Sequence, residues 1–476
     1  MISSGTRSRG LAAALLFLIV AAVLLLAAFL GGRPSARYLL LGVGALGFLL
    51  LLQQPGLGLV ALAALSFTLP LTIGTGSAVE LTAPVLLVPV VVLAWLVDGL
   101  RRGTLRLPRS RTILPLLLFV GSGLLALLAG RAYWDPLVPQ PHNLLLVQLG
   151  QWGVFALSAA IFIVSADLGA QGRWLQAATW TFLALGAVVV LEFYLPPLRR
   201  ALGWSAPEMA SRSMFWTWLA ALATGQLLFN RRLRPLFRLG LLALLLAAAY
   251  VVWFRLNDWA SGWAPFTVAA LTVAVLGLWR RSRGTALLLV LVIVVLAVAF
   301  FPLMFEHAGG QREVDMSWGG RLSLYRAVLD LVKEHPILGL GPAAYRHYGH
   351  TRWLGGAPGR ALWLRPNVSS HNNYIDLYAQ VGLVGLGLFL WFLFEVGWLG
   401  WQLRPRFEGD FEAGYVYGVL GGLIGTLLAM MLADWFLPFV YNIGFAGFRT
   451  SALAWMFLGG LVALESMTPR DAQDTA

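Results

Sequence analysis

Long apolar segments alternate with short polar loops along the chain, a pattern typical of helices that cross a membrane. The apolar segments have about 16 to 22 residues, a length that spans a hydrocarbon core of roughly 30 Å as a helix. The pattern predicts about 14 spans, or about 12 if short segments such as 38–52 are re-entrant. The predicted spans are residues 11–30, 38–52, 56–73, 81–98, 112–129, 146–166, 175–194, 214–229, 239–255, 264–279, 285–303, 382–402, 413–433 and 446–465.

Basic residues in the short loops predict the orientation of these spans. With a cytoplasmic N-terminus, the basic loops 101–111, 230–238, 280–283 and 404–406 all fall on the same side. This distribution is expected because short cytoplasmic loops of membrane proteins are enriched in Lys and Arg. We therefore expect a multi-pass protein with both termini in the cytoplasm.

The spans predict an all-α polytopic membrane protein with one large external helical loop. Residues 1–303 contain the spans up to 285–303, and residues 382–476 contain the last spans and a short cytoplasmic tail. Residues 304–381 lie between them and contain no predicted span. A loop of this length is usually functional, so we expect the site to involve it.

Composition agrees with a membrane location. The chain is 59% apolar and 12% charged, with a mean hydropathy of +0.78. Too little polar surface remains to coat a soluble protein of this mass, which excludes a soluble enzyme. The sequence has no cysteine, which excludes disulfides and zinc–thiolate sites.

The net charge of +13 divides between the two sides of the membrane. In a soluble protein this excess would suggest nucleic acid, but orientation explains the inner basic residues, and we expect no nucleic-acid partner. The outer ones concentrate in the external loop with most of the histidines. The loop contains Arg312, Arg321, Arg326, Lys333, Arg346, Arg352, Arg360, Arg365, His307, His335, His347, His350 and His371.

Two helices are predicted inside the loop. The first, at 321–336, ends at Pro336, and the second, at 371–385, begins near His371 and continues into the following span. The apolar face predicted for the first helix consists of Leu322, Tyr325, Val328, Leu329 and Val332.

Sequence motifs of common soluble enzymes are absent. The chain has no Walker loop, no GxGxxG after a strand, no HExxH and no GxSxG elbow. Glu313 and Asp315 form an E-x-D pair that could bind a divalent ion.

The loop carries a two-part motif. GGRLSLYRAVLDLVKEHPILGLGPAAY is followed by SSHNNYIDLYAQVGLVG, which resembles the O-antigen ligase and O-antigen polymerase family. That family has an Arg-led amphipathic helix, then hPxxGxG, then H-N-x9-G-x-x-G entering a span. The matching residues are Pro336, Gly339 and Gly341 in the first part and His371, Asn372, Gly382 and Gly385 in the second.

The resemblance implies a GT-C-type glycosyltransferase of the bacterial inner (plasma) membrane, with its active site facing the periplasm or exterior. The donor would be a glycan on undecaprenyl pyrophosphate. The acceptor would be lipid A-core for a ligase or a second lipid-linked glycan for a polymerase. The transfer would need no metal and no cofactor.

The resemblance and the side-chain chemistry suggest roles for four residues. His371 would be the general base, because histidine takes a proton near neutral pH. Arg321 would bind the pyrophosphate, because guanidinium groups bind phosphate oxygens bidentately. A second such arginine is expected at the start of a span after an external loop, where this sequence has Arg212 in a looser match. Arg326 is the substitute if Arg212 is not that residue.

Four further residues could support the site. These are Asn372, Tyr374, Arg255 and Arg449. Arg255 and Arg449 lie near predicted span ends, where a charge is either functional or extended to the interface. His347 and His350 could line an acceptor path.

Two other classes of protein remain open at this point. A transporter is the commonest function of a many-helix chain, although no pair of matched broken spans indicates inverted repeats. The peptidoglycan-polymerising relatives of similar fold would need a catalytic aspartate in the loop.

Overall fold

The computed structural model describes residues 36–74, 80–198, 206–256, 260–292, 295, 299, 319–354 and 370–467. The predicted first span, 11–30, lies outside the described residues, as do residues 293, 294, 296–298 and 300–303 of the predicted span 285–303, and His307, Glu313 and Asp315. Within the described residues the chain is 79% helical and has almost no strand, which confirms an all-α polytopic fold.

The described helices follow the apolar segments of the sequence in order. They are α1 Ala36–Gln53, α2 Leu57–Thr68, α3 Ala83–Arg102, α4 Ile113–Ala132, α5 Leu144–Gly169, α6 Arg173–Glu192, α7 Ala206–Ala210, α8 Ser213–Phe229, α9 Pro235–Tyr250, α10 Ala260–Arg281, α11 Arg283–Val292, α12 Gly319–Val332, α13 Tyr345–Leu354, α14 Asn373–Leu403, α15 Phe411–Leu432 and α16 Gly444–Met467. A π-helical turn, Val251–Arg255, extends α9, and a 3-10 turn, Arg404–Arg406, extends α14.

Nine helices in the described part of the chain are long and apolar enough to cross a membrane. They are α3, α4, α5, α6, α9 with its π-turn, α10, α14 with its 3-10 turn, α15 and α16. The total of about 14 spans, the orientation and the divisions at residues 303 and 381 all stay predictions.

The predicted span 56–73 is wrong at its C-terminal end. The helix has 12 residues and stops at Thr68, before the predicted end at residue 73. The chain then forms a two-stranded antiparallel sheet, β1 Thr72–Gly74 with β2 Glu80–Thr82, in which Ile73 lies opposite Leu81.

The predicted apolar face of the loop helix is also wrong in part. The side chains of α12 that are buried are Leu324, Val328, Leu331 and Val332, whereas Leu322 is 52% exposed and Leu329 is 40% exposed. Arg321 lies one helical turn before Leu324 and is therefore on the side that packs against the protein.

Helix α14 is broken at Gly382. This residue has φ 65° and ψ −167°, outside the helical region. The break leaves carbonyl and N–H groups on either side of it without partners in the helix. The turn at 336–341 supplies those partners.

Four backbone hydrogen bonds join this turn to α14. The N–H groups of Leu340 and Gly341 donate to the carbonyls of Ala379 (2.9 Å) and Gln380 (3.1 Å). On the other side of the break, the N–H groups of Leu383 and Val384 donate to the carbonyls of Pro336 (2.9 Å) and Ile337 (3.2 Å). The two halves of the sequence motif are thus the two sides of one backbone junction, which we call the motif junction.

Glycines let the two backbones of the motif junction approach each other. Gly339 has φ 70°, and a Cβ there would lie 2.7 Å from the nitrogen of Gly382. A Cβ on Gly382 would collide with the backbone of Ile337 and Leu338. Both positions therefore require glycine for conformation and for space.

We predict that Gly382→Ala destabilises the protein by at least about 2 kcal/mol, because it combines a left-handed φ with a backbone collision. Thermal unfolding of the detergent-solubilised protein, followed by tryptophan fluorescence, measures the effect. Gly387→Ala is the control on the same helix, since nothing lies within 4 Å of a Cβ there. Equal melting temperatures for the two variants would contradict the role of the junction.

Candidate functional site

His371 lies at the start of α14, at the end where the motif junction fixes that helix. Its backbone is left-handed, with φ 52°. The next residue, Asn372, caps the helix: its side-chain oxygen accepts hydrogen bonds from the N–H groups of Tyr374 (3.0 Å) and Ile375 (3.3 Å). The cap satisfies two N–H groups that a helix start leaves open and so fixes the backbone next to His371.

A buried carboxylate secures the residue before His371. The hydroxyls of Ser370 and Tyr345 both donate to Oδ1 of Asp376, each at 2.7 Å. Asp376 is 1% exposed, and Tyr345 comes from α13. These bonds tie the strained backbone at His371 to two helices.

Asn442 lies next to the imidazole and links it to Asp434. Asp434 follows the end of α15 and is fully buried. The amide nitrogen of Asn442 is 2.6 Å from Oδ1 of Asp434 and 3.5 Å from Nδ1 of His371. The N–H of Phe439 donates to the other carboxylate oxygen of Asp434 (2.9 Å). Asn442 therefore bridges a buried carboxylate and the histidine ring.

Burial sets the protonation of His371. It lowers the pKa of His371 below its usual value, the negative charge of Asp434 opposes this, and the positive charge of Arg321 lowers it further. Burial raises the pKa of Asp434. The hydrogen bond from the Phe439 N–H, the positive charge of His371 and the hydrogen bond from Asn442 lower it. A histidine with a lowered pKa is neutral at pH 7 and able to accept a proton.

Two arginines act on this pair from different helices. Arg321, at the start of α12, interacts electrostatically with His371. Arg212 precedes the first residue of α8 and interacts with Asp434, Glu208 and Arg449. Burial is the main cause that lowers the pKa of Arg212, and its Nε is buried without a hydrogen-bond partner in the described part of the chain.

The structure thus brings together three of the predicted site residues, His371, Arg321 and Arg212. It does not bring the substitute Arg326 to them, because Arg326 is exposed on a different side of α12 from the buried face. Arg255 is also exposed, at the end of the π-turn, where it interacts with Tyr194.

The other supporting residues have packing partners inside the bundle. Arg449 is 1% exposed, donates to the carbonyl of Leu69 (2.9 Å) and pairs with Glu208 (3.3 Å). Tyr374 donates to the carbonyl of Leu427 (3.0 Å). Together with the cap Asn372, these residues hold helices in place around the site.

The remaining loop histidines within the described ranges differ in setting. His347 has Nε2 3.0 Å from the hydroxyl of Tyr441, and burial lowers its pKa to about 4. His335 stacks on Tyr133, and His350 is exposed. Within the residues that the structure describes, no group of three or more His, Cys, Asp or Glu could hold a metal ion.

Sequence reasoning missed Asp434 and Asn442. Both come from the segment DWFLPFVYN, residues 434–442, directly after a predicted span. An acidic residue at the end of an apolar segment, followed by an aromatic loop, is the signal that could have identified Asp434. Arg346 was expected only as one of the basic residues of the loop; its guanidinium lies 4.1 Å from the ring centre of Tyr441, the residue before Asn442.

The nine apolar helices in the described part of the chain, with a polar, partly buried site at one end of them, define an integral membrane protein. Residues 237–390 match the family described as O-antigen ligase. This match supports assigning the chain to the O-antigen ligase and polymerase family, as the sequence motif predicted. No curated protein matches the chain.

The family match covers the motif junction, Arg321 and His371, but not Arg212, Asp434 or Asn442. It supports a function of the lipid-linked glycan ligase or polymerase type and membrane-embedded substrates of that class.

We predict that Asp434→Asn lowers the pKa of His371 further, because it removes the negative charge that favours the imidazolium. Arg321→Gln should raise that pKa, because it removes a repelling positive charge. NMR titration of the histidine ring signals measures both shifts, with His371→Asn identifying the signal.

Arg326→Gln is the matched control, since it makes the same charge change on an exposed part of α12. A control shift as large as that of Arg321→Gln would show that the electrostatic contact is not specific.

Proposed function

We propose that the protein is a metal-independent glycosyltransferase that moves a glycan from undecaprenyl pyrophosphate to the hydroxyl of an acceptor sugar. The observation that supports this most is the convergence of His371, its carboxylate Asp434 and the arginines Arg321 and Arg212 at one end of the bundle. The predicted orientation puts this end on the outer face of the membrane.

The reaction needs a base for the acceptor and positive charge for the leaving group. His371 takes the proton of the acceptor hydroxyl as that oxygen bonds to the anomeric carbon of the donor sugar. The bond between the anomeric carbon and the pyrophosphate oxygen breaks, and the electron pair goes to the pyrophosphate. Arg321 and Arg212 bind this anion, and the proton on His371 is later released to water.

Asp434 and Asn442 support the base. The carboxylate stabilises the positive charge that forms on His371 when it takes the proton. Asn442 lies between the two groups and keeps their separation fixed. Asp434 thus favours proton uptake without making His371 charged at rest, because burial and Arg321 act in the opposite direction.

Between the two members of this class we favour a ligase, whose acceptor is lipid A-core, because the two-part motif is best known from ligases. A polymerase, which uses a second lipid-linked glycan as acceptor, is the alternative. A transporter has less support, since the charged residues gather at one end of the bundle rather than at its middle.

We expect His371→Ala to reduce transfer by about 10²-fold to 10⁴-fold, the usual contribution of a general base. The assay supplies purified protein with undecaprenyl pyrophosphate-linked oligosaccharide, with and without lipid A-core. His142→Ala is the control, because His142 is exposed and lies outside the external loop. Full activity in His371→Ala would contradict the assignment of the base.

The same assay separates the alternatives. A single glycan block added to lipid A-core indicates a ligase, and a ladder of longer lipid-linked products indicates a polymerase. Activity that persists in the presence of a chelator is expected for transfer by arginines alone. Solute uptake into proteoliposomes without a glycan donor would instead favour a transporter.

We expect Arg321→Gln and Arg212→Gln each to reduce kcat more than they raise KM, because the negative charge on the leaving pyrophosphate is larger in the transition state than in the bound donor. Arg326→Gln should retain activity near that of the unmodified protein. Initial rates at several donor concentrations measure both parameters. A pure increase in KM for the two site variants would limit the arginines to ground-state binding of the donor.

A further inference from the structure

The end of the bundle opposite His371 contains a large cavity. Helix α8 starts next to Arg212 at the site and ends at Phe229, while α15 starts at Phe411 and ends just before Asp434. The far ends of these antiparallel helices meet about 25 Å from the site, the length of α8. Between them and α10 lies a cavity of about 850 Å³.

The rim of this cavity is basic. Arg231, Arg280 and Arg281 contribute guanidinium groups, and Glu408 is the one carboxylate among the described residues that line it. Glu408 forms an ion pair with Arg280. The three positive charges and one negative charge leave an excess of positive charge at the cavity.

The backbone fixes the position of the rim. The N–H of Arg231 donates to the carbonyl of Gly409 (3.0 Å), which joins the loop after α8 to the loop before α15. The rim arginines are all exposed, so a ligand can reach them from the surface.

The inner wall of the cavity is apolar. Leu228 and Phe229 from α8 and Ala274 and Leu278 from α10 line it. Helix α10 is among those long and apolar enough to cross the membrane, so this wall continues toward the hydrocarbon core. The cavity is therefore cationic at its rim and apolar along its wall.

We propose that this cavity binds an anionic phospholipid, with the phosphate held by Arg231, Arg280 and Arg281 and the first part of the acyl chains against the apolar wall. Guanidinium groups bind phosphate through paired hydrogen bonds, and basic pockets between membrane helices bind anionic headgroups. A free phosphate could bind the same arginines, but it has no apolar part that would pack against the wall. The basic loops predict this end to be cytoplasmic, where it would face the inner leaflet.

Native mass spectrometry of the full chain in detergent, titrated with lipid, tests this proposal. Phosphatidylglycerol should bind at least about tenfold more tightly than phosphatidylcholine, a difference expected from two or three charges near the surface. The triple variant Arg231→Gln, Arg280→Gln, Arg281→Gln should lose this tenfold preference and bind the two lipids about equally. The control, Arg106→Gln with Arg109→Gln, changes exposed arginines of another loop on the same predicted side and should keep it.

Glu408→Gln gives a change in the opposite direction and does not depend on the folding of the triple variant. Removing the carboxylate frees Arg280 from its ion pair and should strengthen phosphatidylglycerol binding several-fold. Equal binding of the two lipids, or weaker binding of phosphatidylglycerol by Glu408→Gln, would overturn the proposal. Displacement of the lipid by inorganic phosphate at comparable concentration would show a free-phosphate site instead.

Discussion

A backbone polar group buried in a membrane protein must find its partner within the protein, and at Gly382 this requirement shapes the whole site. Helix α14 is interrupted there, and the turn at 336–341 takes over the hydrogen bonds on both sides of the interruption. The junction fixes the short helical segment before Gly382, and that segment carries Asp376 and begins beside His371. The geometry of the imidazole thus depends on a contact between glycines that bear no functional group.

The helices could be predicted closely from sequence because a lipid environment leaves few choices for the backbone. The prediction 413–433 corresponds to Phe411–Leu432, and 112–129 to Ile113–Ala132. Apolarity alone does not tell a helix from an extended strand, which is why the C-terminal end of the predicted span 56–73 is wrong. Nor does it tell burial in protein from exposure, and Leu322 shows this on α12.

Part of the site could be predicted because its residues fall in one motif. His371 and Arg321 lie within the two-part pattern, and their side-chain chemistry suggests their roles. Asp434 and Asn442 lie more than sixty residues further along the chain. They reach His371 only because α14 and α15 run antiparallel, and a single sequence does not report that proximity. The sequence also does not distinguish the settings of the arginines at the two ends of the bundle. Arg212 is largely buried beside carboxylates, whereas the rim arginines are exposed.

Helix α16 has the most completely buried apolar window of the nine candidate spans in the described residues. It is also translated after the helices that it contacts. Each residue of its apolar window is buried, and its Arg449 binds carbonyls at Ser66 and Leu69 near the end of α2. Thr82, before α3, likewise donates to the carbonyl of Phe445 (3.0 Å). Helices α2 and α3, which are translated earlier, therefore complete their packing only after α16 has been inserted. These contacts of α2 and α3 thus form late, when α16 enters among helices that are already in the membrane.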